Sequence, residues 1–362
     1  MFFFQQKTYS SFYSGKSDCY LPDPILYAVH KTNTSCEFVT QEYDIRASLN
    51  NLGFRSKSDT QVVKNKGTVR ILFLGDSFVF GQGSRDEETI PFLTGKYLES
   101  SLSSPIETIN AGIVGSEVTY EYLYLTVHAK KLNSDIIVAT IFLGNDLADL
   151  DYFLWSGIDQ NGLPTKIITK LEYVDSDGTR KMSNTPKRYK VPLLRESHLF
   201  LFLAQMLFGK VEPFRTVTFN GTPCLLMPSC KELDPQIKKI QKVIEGMKTL
   251  ADKNGQKLLI VIIPWELQFP RDITQRSQVN FFAARTNRHY MGDRLGAFLK
   301  NNSIEYIDLL DTFENYRGRR QIFYPQDRHW TPEGNKVAAR AVAEKIASSI
   351  MKAKQHAASE KE

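Results

Sequence analysis

Long apolar runs are missing from this chain of 362 residues. The longest, Leu258 to Ile263, falls far short of the roughly 20 residues that a bilayer-spanning helix needs, so stable membrane insertion is not expected. Charge of one sign is nowhere concentrated either: the net charge of +6 is spread thinly, and Arg317 to Arg320 is only a short basic patch. A nucleic-acid surface wants a basic stripe with interleaved aromatics, so nucleic acid is not expected as a partner. Cysteine is scarce, with Cys19, Cys36, Cys224 and Cys230 alone. Neither CxxC spacing nor a His/Cys cluster occurs, which argues against zinc, and no metal is expected. The pairs Cys19–Cys36 and Cys224–Cys230 would each staple a short loop in an exported protein; four ordinary thiols are the alternative. Met1-Phe-Phe-Phe has neither the length of a signal core nor a small-residue cleavage site. The location stays open between periplasmic or otherwise extracytoplasmic, with a leader or anchor removed, and cytoplasmic. Internal repeats are absent.

What is present is ample material for a core: 42% hydrophobic and 12% aromatic residues, which excludes wholesale disorder. Residues 1 to 66 are polar and turn-rich, with an alternating run from Glu42 to Leu49, and read as an N-terminal β-rich extension packed on the core. At Val69 the character changes to a continuous apolar run ending in glycine, the pattern of a strand buried on both faces. Similar strands follow at Ile106 to Asn110, Asp135 to Leu143, Lys257 to Ile263 and Ile304 to Ile307. Amphipathic segments of helical length lie at Thr89 to Ser101, Glu117 to Leu132, Asp234 to Asn254, Val279 to Asn301 and Pro332 to Met351. Asp234-Pro235 and Thr331-Pro332-Glu333 look like capped helix starts, and Gly255 like a stop. This alternation predicts a flavodoxin-like three-layer α/β/α sandwich with a mainly parallel five-stranded sheet over 67–351. It breaks at about 150–232, a mid-chain insertion in which only Leu194 to Phe208 looks helical; residues 352–362 read as a frayed charged tail.

In a parallel sheet, ligand chemistry collects beyond the carboxyl ends of strands. Gly75-Asp76-Ser77-Phe78 follows the first strand, Asn110 to Gly115 the second, and Gly144-Asn145-Asp146 the third. Asp327-Arg328-His329-Trp330 precedes the last helix. A serine hydroxyl attacks only once an imidazole takes its proton, and the imidazole needs a carboxylate to fix its tautomer; Ser77, His329 and Asp327 can fill those roles. The resulting tetrahedral oxyanion needs preorganised donors, which the N–H groups of Ser77 and Gly115 and the Asn145 amide could provide. Each segment alone is an ordinary turn, but four together at successive strand ends make one site. Asp76 and Asp146 are expected to hold turns through backbone hydrogen bonds.

These four blocks resemble those of the SGNH, or GDSL-type, hydrolases, over about Val69 to Met351. The resemblance implies Ser77 as nucleophile, His329 as acid/base, Asp327 as its partner, and Gly115 and Asn145 in the oxyanion hole, with no cofactor. There are two departures. Phe78 stands where leucine is usual, and the aspartate lies two residues before the histidine rather than three, where Gln326 is found. The Asp-x-His-Trp form is similar to that of the polysaccharide O-acetyltransferase and acetylesterase branch.

The sequence thus points to a serine-dependent ester hydrolase or acyltransferase working through an acyl-enzyme, with an acylated carbohydrate or other ester as substrate and short-acyl, O-acetyl groups on a carbohydrate favoured. Lipid esterase is one alternative, and a non-catalytic glycan-binding protein of the same fold is another. A nucleotide binder would need a phosphate loop ending in Lys-Ser/Thr, which Gly75 to Gly83 lacks. Trp265, Gln268 and Trp330 are weaker candidates for lining a substrate pocket; Trp330 could instead brace the loop. His198 reads as a helix cap, and His30, His128, His289 and His356 have no suitable neighbours in sequence. Oligomeric state is not encoded in any motif.

Overall fold

The computed structural model of the chain describes residues 19–359 apart from 41, 151–152, 170–171, 175–179, 183–217, 220–221, 224–230, 270–286, 319 and 326. The expected helix at 194–208, His198 and the Cys224–Cys230 pair lie outside the described residues.

The chain opens with two antiparallel hairpins, β1 (Tyr20–Asp23) with β2 (Tyr27–His30) and β3 (Thr34–Val39) with β4 (Asp44–Leu49). Only the last of these strands was anticipated from its alternation. A disulfide joins Cys19 to Cys36 across the two hairpins. The extension is tied to the body of the molecule by backbone bonds, Arg55 N–H to the Asn110 carbonyl and Ile167 N–H to that of Ile25.

The parallel core follows: β5 (Val69–Leu74), β6 (Ile106–Asn110) and β7 (Ile136–Phe142). Next come a separate antiparallel hairpin, β8 (Phe153–Ile158) with β9 (Pro164–Thr169), and two small hairpins, β10 (Glu172–Val174) with β11 (Arg180–Met182) and β12 (Thr218–Phe219) with β13 (Thr222–Pro223). The last core strands are β14 (Lys257–Ile263) and β15 (Glu305–Asp308). The five core strands run in the order β15-β14-β7-β5-β6, every pairing parallel. Every residue of β7 is buried, as its unbroken apolar sequence requires of a central strand covered on both sides. The three-layer α/β/α sandwich anticipated from the alternation is therefore what forms. Chain order reverses between β5 and β7, and it is beyond the carboxyl ends of strands at such a switch point that ligand sites of open α/β sheets form.

The helices are α1 (Ser77–Phe80), α2 (Ile90–Ser101), α3 (Val118–Tyr124), α4 (Asp146–Asp149), α5 (Asp234–Lys253), α6 (Tyr290–Asn301), α7 (Leu309–Glu314) and α8 (Pro332–Ser359). Helix α2 packs on α8, and α3 packs on α5. Several bounds differ from the sequence reading. The segment expected as one helix from Glu117 to Leu132 changes at Leu125–Ala129 to a π turn and then to a 3₁₀ turn ending before left-handed Asn133. Helix α6 starts at Tyr290, because 287–289 form a turn rather than helix. Leu233, not Asp234, is the cap of α5. The tail expected to fray continues as helix to Ser359.

Candidate active site

The site begins at the end of β5. Gly75 has no room for a side chain, since a Cβ there would lie 2.3 Å from both Thr140 Oγ1 and Val79 Cγ2. Helix α1 starts immediately with Ser77. Asp76 caps it, its Oδ1 accepting from Phe78 N–H at 2.8 Å, and Gly81, left-handed at φ 85°, ends it. Ser77 is thereby the first residue of a short helix, with its own N–H facing outward from the helix start.

The last block forms a tight hairpin. Phe323 and Trp330 bridge; Tyr324 N–H donates to the His329 carbonyl at 2.9 Å, and Arg328 N–H to that of Tyr324 at 3.0 Å. Arg328 sits in the left-handed region at φ 75°, a conformation that costs a non-glycine residue energy and so must be held by its surroundings. This turn brings Asp327, two residues upstream, alongside the imidazole. Asp327 Oδ1 lies 2.5 Å from His329 Nδ1, and His329 Nε2 lies 2.7 Å from Ser77 Oγ. The shorter Asp-x-His spacing is accommodated by that single left-handed residue.

Around this array the packing is tight. Ser77 and His329 are each 8% exposed. The Phe78 ring lies 5.1 Å from the imidazole and 4.8 Å, edge-on, from Trp330. Trp330 is 1% exposed and also packs on Phe313, so it braces the loop and offers no face to a sugar. Trp265 and Gln268 are corrected likewise. Both are buried, and Gln268 accepts from Trp265 N–H at 2.7 Å while donating to the Arg288 carbonyl at 2.6 Å. The Gln268 amide and the Trp265 main chain close a turn, and the Trp265 indole is packed inside. Half-buried Arg328 pairs with buried Glu266 at 3.3 Å.

The two remaining blocks sit at neighbouring strand ends. The turn after β6 is stitched to the strand before Ser77 by Ile113 N–H and Ser116 Oγ, both donating to the Gly75 carbonyl at 2.9 and 3.0 Å. Gly115 within it is left-handed at φ 76°. Gly112 lets it close, since a Cβ there would lie 2.3 Å from Phe80 N. After β7, Asp146 Oδ2 accepts from Phe142 N–H at 2.8 Å, the turn-holding bond expected of it. Among the described residues the N–H groups of Ser77 and Gly115 have no protein acceptor, and the Asn145 side chain has no partner.

Beneath the serine lies a set of buried acids. Burial pushes the Asp76 carboxyl up to about 6 and that of Glu117 to about 7, against the bonds from Phe78 and Thr119 N–H that pull the other way. Burial also raises Asp146 and Glu121 well above the ordinary carboxylate range, with Asp76 adding to both.

Sequence reasoning missed the residues that reach Asp327 from the extension. Tyr43 Oη donates to Asp327 Oδ2 at 2.7 Å, and Asp327 N–H donates to Glu42 Oε2 at 2.6 Å. No local signal marks them, because the contact spans 284 positions. Two histidines also have neighbours that the sequence did not reveal. His128 pairs with Asp23 at 3.4 Å, and His289 gathers with Asp311 and Glu314, the only described cluster of metal-ligand type. Arg288 already holds Glu314 at 3.1 Å there, and no Ser77, His329 or Asp327 atom takes part. Among the described residues no helix is long and apolar enough to cross a membrane.

Residues 229–362 match the family described as SGNH hydrolase-like domain, acetyltransferase AlgX. Similar curated proteins include the probable alginate O-acetylase AlgJ of Pseudomonas putida KT2440, 26% identical over 116 residues, which are 29% of this chain and 26% of that protein. The protein of the same description from Pseudomonas syringae pv. tomato DC3000 is 28% identical over 107 residues, with the same shares. The match thus spans about a quarter of the length of these relatives. Among solved structures, the lipase/acylhydrolase of Enterococcus faecalis superposes with a TM-score of 0.42 at 12% identity, over 78% of this chain and 96% of that one. A catalytic mutant of Axe2, an acetylxylan esterase from Geobacillus stearothermophilus, gives 0.41 at 10% identity, over 79% and 96%.

Proposed function

We propose, from the SGNH-hydrolase-like fold of this chain and the Ser77–His329–Asp327 array at its switch point, that it is a serine esterase or O-acyltransferase acting through an acyl-enzyme. The observation that carries the reading is the unbroken chain of contacts from Asp327 through His329 to Ser77. Ser77 Oγ attacks the acyl carbonyl carbon while His329 Nε2 takes the hydroxyl proton. Asp327 holds Nδ1–H and steadies the imidazolium. The carbonyl oxygen becomes an oxyanion, received by the N–H groups of Ser77 and Gly115 and by Asn145 Nδ2. Collapse breaks the ester C–O bond, the leaving alkoxide takes the proton from Nε2, and acyl-Ser77 remains. Water or a second hydroxyl then repeats the sequence, giving up its proton to Nε2 as it releases the acyl group.

O-acetyl groups on a polysaccharide are the substrate class we favour, because the relatives are described as probable alginate O-acetylases and the matched family as an acetyltransferase. The Cys19–Cys36 bond supports an extracytoplasmic location, where disulfides persist. Turnover of p-nitrophenyl acetate and of an acetylated oligosaccharide by wild type, Ser77→Ala and His329→Ala tests the reading. Each substitution is expected to lower kcat by about three orders of magnitude or more. Equal turnover by folded Ser77→Ala would end it.

A further inference from the structure

The N-terminal extension reaches the reacting array at one point, and the geometry points to a positioning role there that rests on the esterase reading above. We infer that Tyr43 acts through Asp327, as the fourth member of a hydrogen-bonded circuit that returns to the helix carrying Ser77. The circuit runs from Ser77 Oγ to His329 Nε2, from His329 Nδ1 to Asp327 Oδ1, and from Asp327 Oδ2 to Tyr43 Oη at 2.7 Å. Gln82 Nε2 then donates to Tyr43 Oη at 3.1 Å, and Gln82 N–H donates to the Ser77 carbonyl at 2.9 Å. One carboxylate oxygen thus serves the imidazole and the other the phenol.

Three further contacts fix Tyr43. Glu42 Oε2 holds the Asp327 N–H at 2.6 Å, which locks the backbone beside the phenol. The Tyr43 ring lies 5.0 Å from that of Tyr324, whose Oη donates to the Gly83 carbonyl at 2.8 Å. Gly83, left-handed at φ 85°, leaves the space both rings occupy: a Cβ there would meet Tyr324 Cε2 at 2.7 Å and Tyr43 Cε1 at 3.1 Å. Burial first, and the Asp327 charge second, push the Tyr43 phenol well above the ordinary tyrosine value, so it stays an O–H donor across the working pH range.

A donor on Asp327 Oδ2 spreads the carboxylate charge and weakens its hold on an imidazolium. Removing that donor therefore raises the affinity of His329 for a proton. Among the described residues, charged or titratable groups facing this region include Glu42 from the extension, Tyr324 from the hairpin, Asp76 next to Ser77, and the Arg328–Glu266 pair. Tyr43→Phe leaves all of them in place, which makes the phenolic oxygen the one variable.

The test is the titration of the His329 imidazole by NMR in full-length wild type, Tyr43→Phe and Gln82→Ala, with fluorophosphonate inactivation rates measured against pH on the same samples. Tyr43→Phe is expected to raise the His329 midpoint by about one pH unit and to move the acid limb of inactivation upward equally, about tenfold slower at a fixed pH on that limb. Gln82→Ala keeps the phenol and removes its own donor, so it should shift both in the same direction by less. It also reports on the circuit when Tyr43→Phe folds poorly. An unmoved midpoint in folded Tyr43→Phe, or no shift in Gln82→Ala where Tyr43→Phe does not fold, overturns the inference. If the midpoint moves but Ser77 in wild type is never labelled, the esterase reading fails and the coupling stands; normal labelling with an unmoved midpoint gives the reverse.

Discussion

Arg55 offers the sharpest test of whether the N-terminal extension is part of the catalytic body. Its guanidinium is fully buried, with the Asp86 carboxylate at 3.0 Å from Nε. Its remaining donors go to main-chain carbonyls of the segment after α1: Phe80 at 2.6 Å, Gly81 at 2.7 Å and Ser84 at 2.5 Å. The guanidinium carbon also sits 4.8 Å from the Phe80 ring centre. Arg55→Met keeps much of the volume and deletes every polar contact. It leaves Asp86 buried with only the Ser48 N–H, and three carbonyls without that donor. Removing one partner of a buried ion pair costs about 3–5 kcal/mol, far more than an exposed pair is worth. At about 2 °C per kcal/mol for a chain of this size, the melting temperature should fall by roughly 6–10 °C. Adding Asp86→Leu removes the stranded charge, so the double variant should recover at least half of the loss. Urea titrations of the three variants, followed by circular dichroism and tryptophan fluorescence, measure this directly. A single variant within about 0.5 kcal/mol of wild type, or a double variant worse than the single, would refute the argument.

The buried acids give a prediction with a definite sign. Glu117 goes from 4.5 unfolded to about 7 folded, so the native state holds an extra proton between those values. Its contribution is fully favourable below the unfolded value and is lost as pH rises toward 7, about 3 kcal/mol in all. Glu117→Gln should therefore gain on wild type steadily from pH 4.5 to 8 in urea titrations; parallel curves would show that burial does not shift this group. Asn145→Ala should lower kcat on p-nitrophenyl acetate by about 10²–10³-fold with the melting temperature little changed, as one oxyanion donor is lost. Undiminished kcat would remove Asn145 from the oxyanion site.

Much of this was legible in the sequence for a physical reason. Strands buried on both faces must be continuously apolar, and β5, β7 and β14 declare themselves in that way. Small and polar residues follow the core strands at their carboxyl ends, which picks out Ser77 after β5, Gly115 after β6 and Asn145 after β7. The hairpin of β8 and β9 escaped notice because apolar Ile158 and Ile168 lie on its exposed side, 62% and 44% exposed, beside polar Ser156, Thr165 and Lys166, so no clean alternation marks it. Trp330 was ambiguous because an aromatic next to a candidate base looks the same in sequence whether it faces a ligand or Phe313. Tyr43 and Arg55 were illegible: their significance lies in partners brought near only by folding, and neither residue type announces a buried polar role in a turn-rich segment. The Cys19–Cys36 pairing, open in the sequence, is present in the structure.

The claim on which the rest depends is that the Ser77 hydroxyl is made nucleophilic by the imidazole next to it. Peptide mass spectrometry after brief exposure to a fluorophosphonate at neutral pH reads this out without any assumption about the natural ester. The account predicts one adduct, on the Ser77 peptide, abolished by Ser77→Ala and slowed strongly by His329→Ala. Modification of well-folded protein elsewhere and not at Ser77, or labelling of Ser77 at the same rate without His329, would contradict it.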